Sequence, residues 1–222
     1  MIKHLPSLAI LAVATGIFAA APAAHADSLY GPLSVTVWTG STVPTEASLP
    51  TPGGTPTFTF NYTGPLDFVN NTMSANTFGD FFGSYSSGIT GLTSAQLTTL
   101  LGTTMSTSGY GITSYLSFVG TYTGGGSVSI SHDDGTSLYT GTGYMNNVIS
   151  SPNPTSEITT TGTLPMGTNT PFDLIYVEAN GAPADLVVTG LSPVPEPGTI
   201  GLLALGMIGL GALMYRGSAF NS

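Results

Sequence analysis

Residues 128–139 read Val-Ser-Ile-Ser-His-Asp-Asp-Gly-Thr-Ser-Leu-Tyr. Val128 and Ile130 alternate with small polar residues, the pattern of a half-buried strand. Asp133-Asp134-Gly135 breaks that pattern, and Leu138-Tyr139 resumes it. Two adjacent acids at a strand end repel each other at close range. Two readings follow. One is an exposed turn, with the Asp side chains accepting backbone hydrogen bonds and the glycine supplying a positive φ. The other is a divalent cation shared by the two carboxylates. Neighbouring strand residues point to opposite faces, so a shared ion requires a sharp local bend between Asp133 and Asp134.

Residues 115–122 read as the strand before this stretch, and Gly124-Gly125-Gly126 as a hairpin turn into it. No lysine follows these glycines and no helix pattern begins, which argues against a phosphate cradle. After the stretch, residues 144–149 and 157–164 are β-prone, with a loop at 151–154. Residues 172–178 put Phe172, Leu174, Tyr176 and Glu178 on one face and Asp173, Ile175 and Val177 on the other. Apolar residues on both faces suit a strand covered on both sides, by a second sheet or by a loop.

Nearer the start, Leu33, Val35 and Val37 share one strand face, and Phe58, Phe60 and Tyr62 share another. The proline-rich segment 44–56 separates these strands as a loop, and residues 66–69 form a further short strand. Residues 74–82, with Phe78, Phe81 and Phe82, fit a helix or irregular structure equally. Residues 93–102 predict a short helix, capped by Thr93 or Ser94, with Leu97, Leu100 and Leu101 on one face and Gly102 ending it. Trp38 is expected to pack in the core or at an edge, without stacking on a ligand. No 20–50-residue period appears. Strands this short, at this spacing, predict an all-β antiparallel sandwich with one short helix over residues 27–191.

The chain has 222 residues and no cysteine, so neither a disulfide nor a thiolate metal site can form. Lys3 and Arg216 are its only basic residues besides histidine, and all eleven Asp and Glu lie between them. A middle section without positive side chains argues against nucleic acid or nucleotide phosphate as a partner. It suits an acidic exported domain.

The two ends read as processing segments. Lys3, an apolar run from 8 to 21, and Ala24-His25-Ala26 make residues 1–26 a secretory signal peptide, with an uncleaved anchor as the alternative. Residues 192–197 form a linker containing Val194-Pro195-Glu196-Pro197. Residues 198–215 carry no charge, Arg216 follows, and 217–222 are a tail. As a helix, 198–216 is long enough to span a membrane. This three-part ending resembles the PEP-CTERM sorting signal. The resemblance implies recognition by an exosortase in a bacterium that makes extracellular polysaccharide. It implies cleavage near Glu196, membrane attachment through the helix before cleavage, and a final place at the cell surface or outside the cell. A plain C-terminal anchor differs only in that no cut occurs.

Residues 127–190 resemble the PA-fourteen family, a β-sandwich named after a toxin's protective antigen. The likeness rests on the Asp133-Asp134-Gly135 turn before a Leu-Tyr strand, on Tyr176-Val177-Glu178 and its small-residue loop, and on the final apolar strand at 186–188. The family hosts several functions. Its calcium-dependent lectins hold the ion with the two turn acids, joined by a cis peptide, and with a polar residue ending the later strand. The resemblance therefore implies a Ca²⁺ site of Asp133, Asp134, Glu178 and Asn180. Glu178 stands where those lectins have Asn, and Asn180 lies in the loop where carbonyls serve. Sugar hydroxyls would fill the open positions on the ion.

Catalysis finds little support. The segment after the signal peptide has one histidine, no cysteine and no G-x-S-x-G motif. A triad would need His132, whose neighbour Asp133 points to the opposite face of a strand. Glu157, Asp173, Glu178 and Asp185 offer acids for a glycosidase pair, but no spacing selects two. The sequence thus reads as a non-enzymatic, exported surface or matrix protein binding extracellular polysaccharide through Ca²⁺. A structural matrix protein without a ligand is the alternative, and a secreted hydrolase a distant third.

Overall fold

The computed structural model describes residues 29–70 and 76–190. The signal segment, the Pro-Glu-Pro linker, the apolar helix and the tail expected from sequence lie outside the described residues. Among those described, nine strands and two short helices build an antiparallel sandwich of two leaves.

Two long strands define it. β5 (Thr113–Asp133) and β8 (Ile158–Glu178) pair antiparallel from Ser114 opposite Glu178 to His132 opposite Ile158. The first half of β5 lies between β1 (Leu29–Gly40) and the second half of β8. This leaf continues through β2 (Phe58–Pro65) and β4 (Ile89–Thr90) on one side. On the other it continues through β6 (Gly135–Thr140) and β7 (Asn146–Ser151). The second half of β5 pairs with β9 (Ala184–Thr189), which pairs with β3 (Asp67–Asn70).

The triple glycine is therefore no hairpin turn. Gly124–Gly126 lies inside β5, where the register to β8 shifts on both sides of Gly124 without the strand reversing. Gly124 and Gly126 hold positive φ values of 97° and 127°, which bend the ribbon from one leaf into the other. The same residues that signal a turn also signal a bulge, and pairing across the bend decides between them. The runs at 157–164 and 172–178 join into one strand for the same reason.

Between the leaves, alternate residues interdigitate: Leu33, Val35 and Val37 from β1, Phe60 and Tyr62 from β2, and Leu116 and Phe118 from β5. Leu174 and Tyr176 from β8 and Leu186 from β9 complete the layer. Residues 74 and 75 lie outside the described set, but Phe78–Phe82 is a helix, α1. Its Thr77 and Asp80 form a capping box, and Phe78, Phe81 and Phe82 turn inward at i, i+3 and i+4. The structure thus has one helix more than the sequence predicts. The predicted helix, α2 (Ser94–Gly102), is capped by a Thr93–Gln96 box and buries Leu100. Ile175 and Val177 face away from the sandwich, beneath Ala47, Val43 and Leu49 of the 41–57 loop. Trp38 packs in that outer cluster, edge-on to Tyr115 with ring centroids 5.8 Å apart.

Gly135 sits where the chain passes from β5 to β6, between the leaves. It is not among the positive-φ residues, and a Cβ there would overlap the Pro152 carbonyl oxygen. Its need for glycine comes from close approach, where the sequence suggested backbone conformation. Gly135→Ala should therefore cost about 1–3 kcal/mol. Thermal melting checks this, and an unchanged Tm would show that the 152 segment gives way freely.

Candidate functional site

β5 ends at Asp133 and β6 begins at Gly135, so Asp134 alone separates them. Asp133 lies opposite Asp185 on β9, and Gly135 opposite Val177 on β8. The chain thus crosses from one leaf to the other at the Asp pair, and the peptide joining the two acids is cis.

The neighbours of the pair fix the corner. The Ala179 and Asn180 backbone N–H groups donate to Asp134 Oδ2 at 2.8 and 3.1 Å, which ties the end of β8 to the turn. His132 is buried, with Nδ1 2.6 Å from the Asp134 carbonyl and Nε2 3.0 Å from the Thr160 hydroxyl. A carbonyl can only accept, so Nδ1 carries the proton and Nε2 accepts from Thr160. Burial holds the His132 pKa below its usual value, which keeps the ring neutral. It acts as a strut, bonded on both nitrogens.

Asp133, Asp134 and Asn180 line one cleft of about 340 Å³, with Tyr110, Thr155 and Pro183. Burial, then the nearby Asp134 and Asp185 charges, push Asp133 up to about 6. Burial also raises Asp134, opposed by the Ala179 and Asn180 amides. No lysine or arginine falls among the described residues, so no cationic side chain there offsets these carboxylates.

Glu178 is placed differently from the other three predicted residues. It is fully buried and stands behind the cleft, facing the core as its period-2 partners Leu174 and Tyr176 do. Asn76 Nδ2 and the Ser106 hydroxyl donate to Glu178 Oε1 at 3.1 and 2.8 Å. The Tyr176 hydroxyl lies 2.8 Å from Glu178 Oε2 and also bonds the Asp133 carbonyl. Tyr176 has one hydroxyl proton, and the Asp133 carbonyl has none to give. Both contacts are hydrogen bonds only if Glu178 is protonated and donates to Tyr176, which then donates to Asp133. Burial, then the Asp134 charge, raise Glu178 to about 9, in keeping with that proton count. Sequence reasoning missed Asn76 and Ser106, which sit far from Glu178 in the chain. Tyr176 could have been found, since it shares a strand face with Glu178.

The donor set suits a hard cation in part. Two carboxylates and the oxygens of the 180 loop are the ligand types Ca²⁺ takes. Among the described residues no group of three or more Asp, Glu, His or Cys could hold a metal, so any ion here would need carbonyl, water or ligand oxygens.

Linkage gives a pH signature for Glu178. Its proton is retained in the folded state up to about pH 9 and lost near 4.5 when unfolded. Stability from this group is complete below pH 4.5 and falls as pH rises towards 9. Asp133 and Asp173, both raised to about 6, are largely ionised by pH 7. In chelator, stability should therefore fall between pH 7 and 9 by up to about 1.4 kcal/mol per unit. Glu178→Gln should flatten that slope in denaturant titrations, and an unchanged slope would rule out the buried proton.

No curated protein matches the sequence. Among solved structures the fold is similar to the "PA14 domain of MpAFP Antifreeze protein", with a TM-score of 0.49 and 16% identity over 72% of this chain and 80% of that one. It is similar also to the "PA14 sugar-binding domain from RTX adhesin", at a TM-score of 0.47 and 13% identity over 72% of this chain and 88% of that one. A GH31 alpha-xylosidase from Xanthomonas citri aligns at a TM-score of 0.38 and 11% identity over 76% of this chain but 15% of the enzyme. At residues 193–216, which include Val194-Pro195-Glu196-Pro197 and run to Arg216, the chain carries a PEP-CTERM protein-sorting motif, the mark of an exported protein.

Proposed function

We propose that this exported protein is a cell-surface or extracellular-matrix component whose sandwich binds glycans through a calcium ion held at the Asp133–Asp134 corner. One observation carries the reading: two carboxylates share the wall of an open cleft with no cationic side chain among the described residues to offset them. Burial, then the Asp134 and Asp185 charges, raise Asp133, and a bound divalent cation would offset both. The exposed Asn180 and Tyr110 flank the cleft, leaving its mouth open to ligand hydroxyls. Glu178 would serve from behind, holding the Asp133 backbone through Tyr176.

A second reading has its own observation. Asp134 accepts two backbone amides, the task of a purely structural turn residue. On that reading the protein is a matrix component without a ligand.

Calorimetry with CaCl₂ on the secreted protein separates the two. Calcium at a hundred times its Kd should stabilise the wild type by about 2.7 kcal/mol, and Asp134→Ala should show neither heat nor a Tm rise. Glycan-array signals should vanish in chelator. A wild type without a calcium response leaves the structural reading.

Processing belongs to the same proposal. An exosortase would cut near Glu196, so the intact mass of extracellular protein should lack the segment after the Pro-Glu-Pro motif and begin at Asp27. Extracellular material retaining Tyr215 would contradict it.

A further inference from the structure

A second cleft, of about 570 Å³, opens on the outer face of the first leaf, lined by Leu49, Pro50, Tyr139, Tyr144, Met145 and Asp173 among others. Tyr139 and Asp173 are direct partners across β6 and β8, so their side chains emerge side by side. Gly135 and Tyr139 are four residues apart on β6, which puts this cleft ~13 Å along the strand from the Asp133–Asp134 corner.

Asp173 is the unusual member. It is 3% exposed, yet it lines the cleft. Its one hydrogen-bond donor among the described residues is the Ser117 hydroxyl, at 2.8 Å. A carboxylate offers about four acceptor positions, so most of its capacity is unused. Burial pushes it up to about 6, which leaves it ionised at neutral pH. Tyr144 lines the same cleft, and burial, then the Asp173 charge, raise its hydroxyl. Tyr144 adopts a left-handed backbone, with φ of 55°, in the turn between β6 and β7. Met145 beside it is 83% exposed. The cleft has no second carboxylate in its lining, so an acid pair for glycoside hydrolysis is absent there.

From this arrangement we infer that the outer cleft binds a ligand through a primary ammonium group, seated on the Asp173 carboxylate between the Tyr139 and Tyr144 rings. An ammonium carries three donors and cancels the buried charge, which a neutral hydroxyl cannot do. Tyrosine ring faces attract the same cation. An anionic ligand would meet only repulsion. Two sources present this chemistry at a size that fits: the amino-sugar units of a de-N-acetylated glycan, and a small aliphatic diamine. The inference does not depend on calcium at the other cleft.

The test uses the secreted protein in chelator, so that no calcium site contributes. Calorimetric titrations are run with a fully deacetylated glucosamine oligomer, its N-acetylated counterpart, and putrescine. At least one ammonium ligand should bind, with the N-acetylated oligomer at least tenfold weaker or silent. Binding by the glucosamine oligomer alone identifies an amino sugar, and equal binding by putrescine identifies the bare ammonium. Asp173→Asn preserves volume and should weaken binding tenfold or more. Tyr144→Ala, on a surface turn, should weaken it severalfold and decides the matter if Asp173→Asn fails to fold. Binding by putrescine alone identifies a small amine. The inference is overturned if neither ammonium ligand binds at millimolar concentration, if the glucosamine oligomer binds and its N-acetylated counterpart binds as well, or if the variants bind like the wild type.

Discussion

Continuous hydrogen bonding between β5 and β8 is the constraint on which the rest of the molecule depends. The pair runs through both leaves, so neither leaf can form without fixing the other. Its bend is made by glycines at positive φ, which keep the ladder in step on either side of a shifted register. Every other strand is added to this ribbon in turn: β1, β6 and β9 touch it, β2, β3 and β7 pair with those, and β4 pairs with β2. The Asp133–Asp134 corner lies where the two ends of the bent ribbon meet, with Asp133 at one end and Ala179 at the other, and inherits its position from that pairing.

A shortage of positive charge shapes the electrostatics. In most proteins buried carboxylates are paired with lysine or arginine. Here the described residues offer neither, and the buried acids are handled in other ways. Asp134 takes backbone amides, Asp185 accepts the Asn70 amide at 2.9 Å, and Glu178 keeps its proton. Asp173 takes a single hydroxyl. All four have pKa values above the usual carboxylate range, with burial the largest cause in each.

Much of the fold was legible in the sequence because half-buried strands leave a period of two. Leu33, Val35 and Val37, or Phe58, Phe60 and Tyr62, announce a strand and its inner face without help from the rest of the chain. What was not legible depends on partners far away. Gly124–Gly126 looks like a turn until β8 is seen to pair across it. Pro165 and Pro171 look like breaks in β8, yet Pro171 keeps its place opposite Thr121. The site divides the same way. Asp133 and Asp134 are adjacent, so local sequence brings them together, whereas Asn180, 46 residues on, was reached only through the family resemblance. That Glu178 turns inward follows from its strand period, but its partners Asn76 and Ser106 come from 102 and 72 residues away. No local pattern encodes such a network.

The first and last described strands, β1 and β9, are both internal. β1 runs between β2 and β5, and β9 between β3 and β5. Ser34–Val37 of β1 and Asp185–Val187 of β9 are paired along both edges, and the two strands share β5 as a neighbour on different leaves. Tension applied to the two ends of the domain, as on a protein held at a surface and pulled by its surroundings, therefore finds no edge strand to peel away. The load passes along β5, through its glycine bend, and must break two ladders at once to release either end. The topology that places the corner also makes the domain a mechanical link.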